Sequence, residues 1–179
     1  MEIIEAALEG CYIIKNTVFG DDRGFFLESF HQQKLADLGI QMDVQQVNFA
    51  RSDRHVLRGL HYQKEPFAQA KLVGVITGAV RDVAVDMRKD SPTFGKSLQY
   101  ELSTPDTLLY IPKGFAHGYL TLADQTTFYY VVDNIYAPDH ECGLFYDDPS
   151  LQIDWGDKEK FKVSEKDRQQ PLISQAYTF

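Results

Sequence analysis

The sequence predicts an all-β protein, a sandwich or closed barrel of short strands with a few short peripheral helices. Three observations carry that reading. Short apolar or alternating runs recur along most of the chain, turn signals separate them, and almost nothing between them has a helical period. The chain has 179 residues, 44% of them apolar, enough for a full hydrophobic core. No low-complexity tract, internal repeat or Pro/Gly/Ser linker divides it, so residues 1–179 read as one domain.

Taken in order, strands are predicted at 10–19, 24–30, 44–50, 56–63, 71–77, 80–87, 97–102, 107–111, 118–122 and 126–132. Asp21-Asp22, Thr77-Gly78, Ser91-Pro92 and Pro112-Lys113-Gly114 supply turns between them. One early helix is predicted, with Ser29 and Gln32 as a capping box, Leu35 and Leu38 as its apolar stripe and Gly39 as its stop. A second short helix follows Ser164, where Ser164-Glu165-Lys166-Asp167 has the same cap-like form.

Charge excludes some functions. Lys plus Arg number 18 against 26 Asp plus Glu, a net charge of −8, which argues against a nucleic-acid or anionic-membrane surface. A phosphate ligand would have to be held by a few local cations. No apolar run is long enough to span a bilayer, and the N-terminal MEIIEAALEG is acidic, so neither a membrane span nor a secretory signal is expected and a cytoplasmic location is. Cys11 and Cys142 lie far apart without ligand spacing and read as free buried thiols in a reducing compartment.

Two of the five histidines stand in unusual company. In Arg58-Gly59-Leu60-His61-Tyr62-Gln63, a cation and an imidazole sit three apart in a predicted strand, on opposite faces unless a bulge at Gly59 brings both to one cavity. In the run from Ile111 to Gly118, a Pro-x-Gly turn delivers His117 to the start of the next strand. A core histidine with a backbone partner is the competing explanation for each.

The Pro-x-Gly-x-x-His pattern resembles the second motif of the cupin superfamily, which implies a double-stranded β-helix, or jelly roll. Metal-binding cupins offer a His-x-His pair and a downstream Glu; this chain has His61-Tyr62-Gln63, with Lys71 and Val75 where the carboxylate would be wanted. Two imidazoles without a carboxylate make a poor site for a first-row metal, so no metal and no cofactor are expected. Proton transfer by a histidine in the barrel mouth is the natural alternative, with Lys71 as positive charge for a developing oxyanion or as an ordinary surface lysine.

Ordered matches across nearly the whole chain then resemble the dTDP-4-dehydrorhamnose 3,5-epimerase family: 22–26, 58–63, 70–73, 82–86, 90–95, 111–118, 136–138 and 164–167. The resemblance implies epimerisation of dTDP-4-dehydro-6-deoxy-D-glucose at C3 and C5. By position, His61 matches the family's base, Asp167 the carboxylate that orients it, Lys71 the group that stabilises the enolate oxygen, and Tyr130 the acid that returns a proton. Arg23, Arg58 and Lys166 match pyrophosphate contacts. Phe26 and Tyr136 match aromatic residues flanking the thymine; Glu28, Gln46 and Asn48 match polar positions around base, ribose or phosphates, and His117 matches a residue near the hexose. The resemblance further implies a homodimer whose N-terminal strands exchange, so that Arg23, Phe26 and Glu28 serve the partner's site.

The residues alone leave alternatives open. Asp167 also fits the closing position of a capping box on Ser164. Alternation in Phe128-Tyr129-Tyr130-Val131 turns one tyrosine inward without saying which. Val131 stands where many relatives carry lysine, so an epimerase acting at one carbon, or a sugar-nucleotide 3,4-ketoisomerase, is the nearest rival; a metal-dependent or non-catalytic cupin is further off.

Overall fold

Alternating and doubly buried strands dominate the chain, as a two-layer β protein requires. A computed structural model describes residues 1–179, the side chain of residue 7 excepted. In chain order the elements are β1 (Glu2–Leu8), β2 (Cys11–Lys15), β3 (Val18–Asp21), β4 (Gly24–Leu27), α1 (Gln32–Asp37), β5 (Gln46–Ser52), β6 (Val56–Gln63), β7 (Lys71–Thr77) and β8 (Val80–Asp86). They continue as β9 (Ser97–Leu102), β10 (Thr107–Ile111), β11 (Phe115–Thr121), β12 (Thr126–Val132), β13 (Glu141–Gly143), β14 (Lys162–Val163) and α2 (Glu165–Arg168).

One sheet runs β1-β2-β10-β7-β12-β5 and faces a second running β13-β6-β11-β8-β9, with β14 added in parallel beside β6. This is the jelly roll expected from the strand spacing. The inner faces meet in a core that includes Ile13, Val73 and Phe128 from the first sheet and Val80, Phe115 and Tyr119 from the second. Burying these faces removes the apolar surface that drives the sheets together. Both outer faces are covered too. Leu35, Ile40 and Met42, in and after α1, close over the first sheet, and Leu144, Leu151 and Trp155 close over the second. The core fills one end of the sandwich and leaves the other open as a mouth.

Several expectations are corrected in detail. The predicted run 10–19 splits into β2 and β3 around Asn16-Thr17, and β11 begins three residues ahead of the run that started at Gly118. Strand β1 was not foreseen: its pairing with β2 shifts register twice, so its apolar residues do not alternate cleanly. Ser29 does not cap α1. His31 does, its ring Nδ1 accepting from the Lys34 amide at 3.3 Å, while the Ser29 hydroxyl pairs with Tyr129. Gly39, at φ +83, ends the helix as expected. Both thiols are unpaired, Cys11 buried and Cys142 only partly so, which corrects the expectation for the second. No helix among the described residues is long and apolar enough to cross a membrane.

Candidate active site

A cavity of about 790 Å³ opens between the sheets at the unfilled end. Its walls come from β5, β6, β7, β11, β12, β13, β14 and α2, so it is built almost wholly on paired strands. It brings together His61, Asp167, Lys71, Tyr130, Arg58, His117, Gln46, Asn48, Tyr136 and Lys166, sequence-expected residues from positions more than 100 apart.

Gly59 is why Arg58 and His61 share the cavity. The β6–β11 register shifts between His117 and Tyr119, opposite this glycine, as a bulge requires. Gly59 holds φ +117, and a Cβ there would meet Gly118 Cα at 2.6 Å and the His117 carbonyl oxygen at 2.7 Å. Only glycine lets the two backbones come this close.

The imidazole of His61 donates from Nε2 to Asp167 Oδ1 at 2.6 Å, and the other carboxylate oxygen accepts from the Gly59 amide at 3.3 Å. Asp167 is 3% exposed. Burial would raise its pKa, but the His61 hydrogen bond, the His61 charge and the Gly59 amide outweigh it and hold the carboxyl below the usual range. An ionised carboxylate can only accept, so Nε2 carries a proton, and in the neutral imidazole this leaves Nδ1 with the lone pair. Ser164 accepts from the Asp167 amide at 3.1 Å and caps α2, so the backbone of Asp167 serves the helix while its side chain serves His61. The capping box is therefore only half formed: Ser164 caps the Asp167 amide, but the Asp167 side chain turns to His61 and Gly59 rather than back to the Ser164 amide.

Across the β6–β11 pair, His117 stands opposite His61. Its Nε2 donates to both oxygens of Asp82, at 2.9 and 3.1 Å, and Asp82 is wholly buried. Lys71, the first residue of β7, is 8% exposed and reaches the His61 carbonyl at 3.4 Å. Burial lowers its pKa to about 8, with Asp82 and Glu141 opposing the shift. A surface lysine is thereby ruled out. Tyr130 faces the cavity, whereas Tyr129 points to the outer face and Ser29. Burial raises the Tyr130 pKa, Arg58 opposes this, and Glu141 adds to it.

Cations and polar groups line the rim. Arg58 donates to the Ser52 hydroxyl from Nε at 3.3 Å and Nη2 at 3.2 Å. Lys166 and the Tyr136 hydroxyl both donate to Glu141 Oε2, at 2.6 and 2.7 Å. Gln46 accepts from the Tyr136 amide and donates to Asn48. Gln63, in the place of a second cupin histidine, is buried and engaged with the backbone: it donates to the Phe67 and Ile135 carbonyls and accepts from the Ala137 amide. It ties down the loop that carries Tyr136. Among the described residues, no three His, Cys, Asp or Glu side chains cluster as a metal site would need.

Arg23, Phe26 and Glu28 are not brought to this cavity. They sit on or beside the β3–β4 hairpin, Arg23 paired with Asp21 and Glu28 with Lys34, while Phe26 is 68% exposed.

The dTDP-4-dehydrorhamnose 3,5-epimerase profile matches residues 5–175. The chain belongs to this family. The dTDP-4-dehydrorhamnose 3,5-epimerase of Salmonella typhimurium is 42% identical over 178 residues, covering 98% of this chain and 97% of its own. The crystal structure of the Elizabethkingia anophelis enzyme superposes with a TM-score of 0.93 at 41% identity, covering 99% of both chains. The dTDP-6-deoxy-D-glucose-3,5-epimerase of Legionella pneumophila, solved with dTDP-4-keto-L-rhamnose, gives a TM-score of 0.93 at 43% identity over 97% of this chain and 93% of its own.

Sequence reasoning passed over Glu141 and Tyr119, which line this epimerase-family cavity, and Asp82, which is buried behind its His117. A signal existed for Asp82. Strand β8 reads Val80-Arg81-Asp82-Val83-Ala84-Val85-Asp86, with two acids on the alternation that faces inward with Val80 and Ala84. A carboxylate at an apolar position marks a buried partner. Glu141 sits in a three-residue strand outside any predicted run and offered no such signal.

Proposed function

We propose that this chain epimerises dTDP-4-dehydro-6-deoxy-D-glucose at C3 and C5 to dTDP-4-dehydro-L-rhamnose by proton transfer between its own side chains and the sugar. The observation that carries the reading is the His61–Asp167 pair, 2.6 Å apart in a cavity that also holds a buried lysine.

A hydrogen on the carbon beside the C4 ketone is acidic because its loss gives an enolate. His61 takes that proton on the nitrogen not bonded to Asp167, and Asp167 stabilises the imidazolium that forms. The electron pair moves into the ketone, whose oxygen becomes negative, and the ammonium of Lys71 stabilises it. Tyr130 returns a proton to the carbon from the opposite face, which inverts the centre. Its raised pKa keeps the hydroxyl protonated until that step.

Arg58 and Lys166 hold the diphosphate, His117 lies by the hexose, and Gln46, Asn48 and Tyr136 hold the nucleoside. In a homodimer, Arg23, Phe26 and Glu28 reach the partner's cavity. The hairpin that carries them supports this, since it projects its aromatic residues into solvent rather than into its own core. Residues 1–179 act as one epimerase domain in this reading, and the two unpaired thiols fit a cytoplasmic location.

The test is incubation with dTDP-4-dehydro-6-deoxyglucose in deuterated water, without added metal or nicotinamide. Deuterium is expected at both C3 and C5. Label at C3 alone would make the protein a single-carbon epimerase, and no label would overturn the reading.

A further inference from the structure

One buried group in the cavity takes no part in the chemistry above. Tyr119 lines the wall on β11, paired with Arg58 of β6 on one side and Asp82 of β8 on the other. The residue is 5% exposed, and its hydroxyl has no hydrogen-bond partner within the chain. Buried hydroxyls are nearly always paired. Two other buried tyrosines show this: Tyr62 donates to the Tyr177 carbonyl at 2.6 Å, and Tyr129 pairs with Ser29. Among the described residues, Asn16 Oδ1 is the only other buried side-chain polar atom left alone, and it does not line the cavity.

The ring is fixed in place. It stacks on Phe128 with centroids 4.1 Å apart, and the His117 ring lies 6.5 Å away. Burial pushes the hydroxyl pKa up, Arg58 opposes and Tyr130 adds to the rise, so the group stays a neutral donor. A donor held beside a guanidinium suits an anionic acceptor that both can reach. Tyr119 is also two residues from His117 and, through Phe128, close to Tyr130, so the acceptor lies next to the reacting sugar. In a sugar nucleotide, the anionic group next to the sugar is the β-phosphate.

We infer that the Tyr119 hydroxyl donates a hydrogen bond to the β-phosphate of the bound nucleotide, alongside Arg58. The inference rests on the sugar-nucleotide reading of this cavity and adds a specificity contact to it.

Tyr119→Phe removes the hydroxyl and keeps the ring. Calorimetric titration should show dTDP binding weakened about tenfold in the variant, and dTMP, which lacks the β-phosphate, bound as by the parent. KM for the keto-sugar nucleotide should rise by a similar factor at unchanged kcat, and the thermal midpoint should not fall. Unchanged dTDP affinity with a lowered midpoint would overturn the inference in favour of an internal structural bond. Unchanged dTDP affinity with a raised KM would move the contact to the hexose, and a loss of kcat at constant KM would move it to Tyr130. Failure of the parent protein itself to bind dTDP would sink the sugar-nucleotide reading and this inference with it, and is told apart from the other outcomes by needing no variant.

Discussion

His61 and Asp167 stand 106 positions apart in the chain, and the fold sets the imidazole Nε2 2.6 Å from the Asp167 carboxylate. The second carboxylate oxygen is bonded to the Gly59 amide, so the acid is braced against the strand that carries the base. Asp167→Asn is expected to reverse the polarity of this contact and favour the wrong ring tautomer, lowering kcat about a thousandfold with little change in KM. The carboxyl is held below its ordinary pKa, so the stability it confers is present above the unfolded value and lost as pH falls through the folded one. Thermal midpoints measured across the acid range should fall less steeply for the variant than for the parent.

Charged Lys71 lowers stability where charged Asp167 raises it, although both contributions rise with pH. The Lys71 pKa is lowered from 10.5 to about 8, chiefly by burial. Below about 8 both folded and unfolded chains hold the proton, and the burial penalty is fully present. Between there and 10.5 the unfolded chain binds the proton that the folded chain has lost, so this group's contribution to stability rises with pH. Lys71→Met should therefore raise the thermal midpoint at neutral pH while lowering turnover at least about a hundredfold, because the enolate oxygen loses its counter-charge. Turnover of the parent should decline as pH passes about 8. A stabilised and fully active variant would remove Lys71 from the mechanism.

Gly59 carries the bulge that brings Arg58 and His61 to one cavity. Gly59→Ala puts a methyl 2.6 Å from Gly118 Cα, on backbone that cannot turn aside as a side chain would. The φ of +117 adds strain of its own. The expected cost is roughly 2–4 kcal/mol in denaturant unfolding, with activity lost even in the folded fraction because the register of β6 against β11 must change. A variant that folds with parental stability would mean the strands can separate locally at no cost.

The strand run from β6 to β12 was legible because it alternates and is punctuated by glycine and proline, so the barrel and the turn that delivers His117 could be read directly. What could not be read depended on partners from distant strands. Ser29 has every local mark of a helix cap, yet its hydroxyl is claimed by Tyr129, 100 positions on, and a histidine ring takes over the cap. Tyr129 and Tyr130 are both largely withdrawn from solvent because each face of β12 is covered, so alternation separates their directions without naming the inner one. The role of Asp167 came from family resemblance, since local pattern offered only a helix cap. For Lys71 the residues left an oxyanion charge and a surface cation both open, and burial of both side chains is what the sheets decide.

The β3–β4 hairpin allows a test of which chain each site belongs to. Phe19, Phe25 and Phe26 are each more than half exposed there, and Arg23 lies outside the cavity of its own chain. Arg23→Ala and His61→Ala should each be nearly inactive alone. If the hairpin serves a partner's cavity, a hybrid of the two variants has one site with both defects and one with neither. Co-refolding equal amounts should therefore restore about a quarter of the parental rate, since half of randomly assorted dimers are hybrids and each hybrid has one intact site of two. If Arg23 instead serves its own chain, every site in the mixture carries a defect and activity stays at the level of the separate variants. The assay thus separates exchange of the hairpin from simple association, which sedimentation of the parent alone would not do.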